Sequence, residues 1–164
     1  MAVQHPIPPL FDEHSELLIL GSFPSVKSRE TGFFYGHPQN RFWKVLAAVC
    51  GEAVPQTVEE KTKMVLDHHL ALWDVIASCE IEGSSDSSIR QAVPNDLFPI
   101  LKHSRIQRIY VNGTTAAALY RRLLLPTVRI EATVLPSTSP ANAAWSPERL
   151  CETWGAALKI RKNG

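Results

Sequence analysis

Four short apolar runs punctuate the chain, and each stops at residues that favour turns. Leu17-Leu18-Ile19-Leu20 stops at Gly21, Leu70-Ala71-Leu72-Trp73 at Asp74, Ile106 to Val111 at Asn112-Gly113, and Val128 to Leu135 at Pro136-Ser137. The first two are apolar at every position, the pattern of strands buried on both faces of a parallel sheet. Stretches of helical period lie between the runs. Asn40 to Cys50 opens with Asn at a capping position and sets Phe42, Val45, Leu46 and Val49 on one stripe. Thr57 to His68 begins Thr-Val-Glu-Glu, a capping box. Pro94 to His103, Thr114 to Leu125 and Ser146 to Lys159 follow, the last with Pro147 at its first helical position. Strands alternating with helices predict an α/β layered sandwich around a mostly parallel sheet. Ligands of such sheets sit outside the carboxyl ends of the strands, so the four turn-rich ends are where chemistry is sought.

Composition narrows the classes. With 164 residues, 45% of them apolar and 20% charged, the chain reads as one globular domain over 1–164. A net charge of +1 excludes a protein held on nucleic acid by bulk charge, though not one with a local basic patch. No apolar run nears the ~20 residues that span a bilayer. The opening MAVQHPIPPLFDEHSE lacks the features of a secretory signal. A cytoplasmic protein without membrane contact is therefore expected. Cys50, Cys79 and Cys151 are odd in number and far apart, which argues against a disulfide framework. His68 and His69 would point about 100° apart on a helix, a poor joint ligand set. There is no Gly-x-Gly-x-x-Gly or Walker loop. Neither a metal nor another cofactor is expected.

The loop after the first strand carries the most information. It reads Gly21-Ser22-Phe23-Pro24-Ser25, then Thr31-Gly32-Phe33-Phe34-Tyr35-Gly36-His37-Pro38-Gln39-Asn40-Arg41-Phe42-Trp43. Three adjacent aromatics in a loop suit a flat wall on which a planar ring stacks; the plainer alternative is that they cap the sheet edge. Asn40 is either a helix cap or an amide able to hold a water molecule.

These residues, with the late Leu135-Pro136-Ser137-Thr138-Ser139-Pro140-Ala141-Asn142-Ala143 loop, resemble the uracil-DNA glycosylase superfamily. The stretch from Thr31 through His37-Pro38-Gln39-Asn40-Arg41-Phe42-Trp43-Lys44-Val45 is close to its mismatch-specific branch. The full combination, including Val111-Asn112-Gly113 and the segment from Trp73 to Ile89, is most similar to the hypoxanthine-DNA glycosylases. The resemblance spans nearly the whole chain, from Leu17 to Trp154. It implies a three-layer α/β/α sandwich with a four-stranded, mostly parallel sheet. It further implies hydrolysis of the N-glycosidic bond of a flipped-out deaminated base, in base excision repair. The expected partner is DNA containing deaminated bases, and a monomer is expected.

The first motif departs from the family. Phe23 stands where many members carry Asn or Asp, and Ser22 where another branch carries Glu. In the hypoxanthine-specific branch the work passes to the Asn of His-Pro-Gln-Asn, here Asn40, as the catalytic residue. Leu135 replaces the His of uracil-specific enzymes, which predicts poor uracil release.

Tyr35, with Phe34 as alternative, is expected to stack on the purine, and Gly21, Ser22 and Phe23 to complete the base-binding wall. Asp74 stands about where uracil-specific relatives read the base with Asn. An ionised Asp only accepts hydrogen bonds, which suits the N1–H of hypoxanthine; the alternative is that Asp74 caps the next turn. Asn112 either lines the same pocket or simply turns the chain. Ser137, Thr138, Ser139 and Pro140 are expected to meet the DNA backbone, as are Ser85 and Ser87 in the polar loop Ser84-Ser85-Asp86-Ser87-Ser88, whose plainer alternative is a solvated loop; Lys27, Arg29 and Arg41 are candidates for phosphate contacts. No Lys lies in these motifs as a Schiff-base nucleophile, so the reaction is expected to be monofunctional. Three other readings remain open. They are a mismatch uracil/thymine glycosylase, a serine hydrolase using Ser22 with His37, and a binding module of the same fold without activity.

Overall fold

A computed structural model describes residues 2–160. Its central sheet is built from β2 (Leu17–Gly21), β3 (Leu70–Asp74), β6 (Arg108–Asn112) and β7 (Ala132–Leu135), all parallel, in the order β3-β2-β6-β7. β2 lies inside the sheet, with Leu17 opposite both Leu70 and Arg108, and all five of its residues are buried. That is why its sequence shows no polar alternation.

Side chains of β2 point alternately to two cores. Leu17 and Ile19 pack with Phe42, Trp43 and Leu46 of α2 (Phe42–Cys50) and with Leu150 and Trp154 of α7 (Pro147–Leu158). Leu18 and Leu20 pack with Ala116, Leu119 and Tyr120 of α5 (Thr114–Leu123). Helices on both faces of the parallel sheet make the expected layered α/β fold. Ser146 caps α7 by accepting from the Arg149 N–H, and Thr57 caps α3 (Val58–Asp67) by accepting from the Glu60 N–H. Both caps were legible in the sequence.

Other boundaries differ from expectation. Residues 125–128 continue as a helical turn, α6 (Leu125–Val128), with Pro126 in its first turn, so the last strand begins at Ala132 rather than Val128. Pro94 ends a strand instead of opening a helix. Asn95 turns the chain there, its side-chain amide donating to the carbonyls of Asp74 (2.9 Å) and Ile76 (3.1 Å), and α4 (Phe98–Lys102) begins only afterwards. A second, antiparallel sheet joins β1 (Val3–Gln4), β4 (Ile76–Glu80) and β5 (Arg90–Pro94) in the order β1-β4-β5. A short helix, α1 (Val26–Thr31), follows the first loop, capped by the Ser25 side chain. Among the described residues no helix is long and apolar enough to cross a membrane.

Candidate active site

The carboxyl ends of all four central strands meet around a cavity of about 220 Å³. Gly21, Ser22 and Phe23 leave β2, Asp74 ends β3, Asn112 ends β6, and Ser137, Thr138, Ser139 and Pro140 follow β7. Phe34, Tyr35, His37 and Asn40, between α1 and α2, form one wall, and Ser84 and Asp86 stand on the rim. Glycine is required at position 21, since a Cβ there would lie 2.5 Å from Asp74 Oδ1 and 3.2 Å from the Tyr35 hydroxyl. Gly113 has φ 98°, and a Cβ on it would press within 3.1 Å of Ser137 Cβ.

The aromatic run divides three ways. Phe34 is 3% exposed, backing the wall from the core, and its carbonyl accepts from the Trp43 indole N–H at 3.1 Å. Phe33 stacks on Trp43. Tyr35 takes a left-handed backbone (φ 51°) and lays its ring on Phe42, centroids 3.9 Å apart and 11° from parallel. Burial, then the charge of Asp74, push its phenol well above the ordinary tyrosine range, so it stays a hydrogen-bond donor.

A chain of side-chain hydrogen bonds fixes the polar groups, and its directions follow from two backbone amides. The Thr138 N–H donates to Asn112 Oδ1 (3.1 Å), so Asn112 Nδ2 donates to Thr138 Oγ1 (3.0 Å) and to the Tyr35 oxygen (3.3 Å). Thr138 Oγ1 must then give its proton to Asn40 Oδ1 (2.8 Å). The Phe42 N–H donates to the same Asn40 oxygen (2.9 Å), which settles the amide's orientation. Asn40 lies one residue ahead of Arg41, the residue that caps α2, with its oxygen accepting from the Phe42 N–H at the helix entry, and it lines the cavity. Its carbonyl carries two donors, and among the described residues its Nδ2 has no partner. Toward the cavity Asn40 is a donor.

Two carboxylates complete the polar set. Asp74 does not cap the following turn; its Oδ2 meets His5 Nε2 at 2.8 Å, with both side chains buried. Asp86, read from the sequence only as part of a polar loop able to meet phosphates, turns its carboxylate from an exposed rim position onto Ser22, whose hydroxyl donates to Oδ1 at 2.9 Å. The residue is exposed as a whole, but its carboxyl end is turned into the cavity, and desolvation there raises it above its ordinary value; the Ser22 bond partly offsets this, and the Asp74 charge adds to it. The Ser22 proton therefore goes to a carboxylate. His37 Nδ1 accepts from the Gln39 N–H at 3.1 Å, so the pair expected of a serine hydrolase does not form.

Arg41, expected to face phosphate, is committed inside the protein. Its guanidinium donates to the carbonyls of Ser139 (2.9 Å), Asn142 (3.1 Å), Thr138 (3.4 Å) and Trp145. It holds the late loop in shape beside Asn40. Arg29 donates to the Gly83 carbonyl (2.6 Å) and lies over the Phe23 ring, while Lys27 is exposed. Ser85 and Ser87 bond each other at 3.0 Å on the exposed rim, outside the cavity lining.

A family model described as the uracil DNA glycosylase superfamily matches residues 8–158. The chain belongs to the uracil DNA glycosylase superfamily. It is 36% identical over 160 residues to a Methanosarcina acetivorans protein named hypoxanthine DNA glycosylase, covering 96% of this chain and 99% of that one. A Methanosarcina barkeri protein of the same name is 32% identical over 160 residues, covering 96% and 92%. A solution NMR structure from Methanosarcina acetivorans, described as that of a candidate uracil DNA glycosylase, superposes with a TM-score of 0.81. That pair is 35% identical and covers 97% of this chain and 98% of the other. The resemblance read from the sequence therefore holds at the level of family and fold. In this uracil DNA glycosylase superfamily member the first motif contributes Gly21, Ser22 and the buried Phe23, and the carboxylate beside it comes from the 84–88 loop.

Proposed function

We propose that this protein is a monofunctional DNA glycosylase that releases hypoxanthine from deoxyinosine in base excision repair. The observation that carries this reading is the division of the cavity into a donor-only amide, Asn40, and an acceptor-only carboxylate, Asp74. The names of the two Methanosarcina relatives support it.

The target nucleotide must leave the stack, which costs a few kcal/mol and least for a mispaired base. The purine then lies against Tyr35, on the face that Phe42 does not cover. Asp74 Oδ1 accepts the N1–H of hypoxanthine. That N–H has one carbonyl neighbour, C6=O, and one C–H neighbour. The corresponding N–H of uracil or xanthine lies between two carbonyls, both of which the carboxylate repels. As the C1′–N9 bond lengthens, an Asn40 Nδ2–H donates to a water oxygen and leaves its other lone pair aimed at C1′. An amide in this state takes no proton, so Asp86 receives it. The C1′–N9 electron pair leaves with the base, the water oxygen bonds C1′, and the proton taken by Asp86 passes on through solvent to the departing base, which restores the carboxylate.

A second hollow of about 500 Å³ runs from Asp86 past Arg90, Thr114, Thr115 and Arg122. It offers the phosphates of the flanking strand a cationic path. Action as a monomer, on DNA in the cytoplasm, is part of this reading.

The test is base release from matched duplexes carrying one inosine, uracil or xanthine, with EDTA present and alkali revealing abasic sites. Inosine cleavage that exceeds the other two and is lost in Asn40→Ala supports the assignment. Preferential release of uracil would move the protein to the mismatch branch, and binding without release would make it a damage-binding module.

A further inference from the structure

A carboxylate that reads a base edge must be held in one orientation, and the role assigned here to His5 rests on the proposal that Asp74 is that reader. Residues 3–10 come from outside the strand-end loops, yet they reach the pocket. β1 pairs with β4, the His5 N–H donates to the Ala77 carbonyl at 2.8 Å, and the Trp73 indole N–H donates to the Ile7 carbonyl at 2.9 Å. This places the His5 ring edge-on between Phe23 (5.9 Å) and Trp73 (6.0 Å), with its side chain 2% exposed.

The proton on that ring has one possible location. The Ile7 N–H donates to His5 Nδ1 at 3.2 Å, so Nδ1 carries a lone pair and the hydrogen is on Nε2. Nε2–H donates to Asp74 Oδ2 at 2.8 Å. One carboxylate oxygen is therefore tied to the N-terminal segment, while the other, Oδ1, stands over Gly21 toward the cavity. A carboxylate pinned at one oxygen presents a single acceptor. Left free, it could turn to offer both oxygens or take a substrate N–H at another angle.

We infer that His5 is a specificity-positioning residue. As a neutral Nε2–H donor it orients Asp74 so that one oxygen meets the base edge, and the N-terminal segment thereby contributes to choosing hypoxanthine over bases with two carbonyls beside the N–H.

Single-turnover cleavage of inosine and uracil duplexes by the wild type, His5→Ala, His5→Gln and Asp74→Asn tests this. His5→Ala should lower the inosine rate about ten- to a hundredfold, the range for a misplaced reacting partner, and narrow the inosine-to-uracil ratio. His5→Gln, whose amide N–H can reach the Nε2 position, should restore most of that ratio. A ratio unchanged in His5→Ala but altered in Asp74→Asn overturns the role of His5 alone. A ratio unchanged in Asp74→Asn overturns the reading of Asp74 itself. If His5→Ala does not fold, nitrogen NMR of the wild-type ring decides. A neutral ring with its proton on Nε2, whose resonance moves when free hypoxanthine is added, supports the inference. A proton on Nδ1, or no response to the base, sinks it.

Discussion

The Thr138 hydroxyl donates to Asn40 Oδ1 over 2.8 Å, tying the loop after β7 to the turn before α2 across 98 residues of chain. Because the Phe42 N–H occupies the other lone pair of that oxygen, the edge that Asn40 offers to the cavity is its amide nitrogen.

Asn40→Asp therefore separates two mechanisms that Asn40→Ala does not. Aspartate keeps the acceptor for Phe42 and Thr138 but loses both N–H donors. Inosine release should fall at least about a hundredfold while the melting temperature stays near that of the wild type. A variant as active as the wild type would mean that this side chain accepts a proton from water.

Thr138 is fully buried and bonds to both Asn112 and Asn40. Thr138→Val removes the hydroxyl; Asn40 Oδ1 keeps the Phe42 N–H, but one N–H of Asn112 is left unpaired, at a cost of about 1–3 kcal/mol. Thr138→Ser should keep most of the stability. Urea unfolding of the two variants side by side measures the difference, and equal midpoints would remove the network from the account of the site.

In the proposed mechanism Asp86 must be ionised to take a proton, and its carboxyl, turned into the cavity, is held above the ordinary value chiefly by desolvation there. Cleavage should therefore rise with pH as Asp86 loses its proton, with the inflection above that of a freely solvated aspartate. In Asp86→Asn the rate should fall about 10²- to 10⁴-fold and the acid limb disappear. Rates measured across pH at saturating enzyme check this. An unchanged limb in the variant would assign it to another group.

Arg41→Lys keeps the charge but loses the planar fork that reaches the carbonyls of Ser139, Asn142 and Trp145. Hydrogen exchange should quicken through residues 138–145, and the KM for inosine DNA should rise with a smaller change in kcat. Arg122→Ala, on the second hollow, should instead reduce the salt dependence of binding by about one phosphate contact. A salt slope that does not change would remove that hollow from the DNA path.

The sequence disclosed those parts of the site that lie where apolar runs stop. Gly21, Asp74, Asn112 and Ser137 follow or end buried strands, and a parallel sheet puts such ends together. Asn40 stood out because it opens a helix beside an aromatic run. His5 did not, and Asp86 showed only as one member of the polar 84–88 loop. Each meets its partner, Asp74 and Ser22, across 69 and 64 residues, and neither sits at a position that local periodicity singles out. β1, β4 and β5 were illegible for a related reason, since they mix polar and apolar residues without strict alternation. Arg41 read as a surface cation because nothing local marks a cluster of carbonyls that the fold brings in about a hundred residues later.

β2 is flanked on both sides by strands from distant parts of the chain, and every strand end contributes to the cavity. No subset of the chain can hold the pocket, because removing any one strand removes a wall and a pairing partner together. Catalytic turnover in this molecule is consequently a gauge of the intact native population. In a wild-type preparation, loss of the sheet would therefore lower the rate in proportion to the unfolded fraction and leave the affinity of the remaining molecules unchanged.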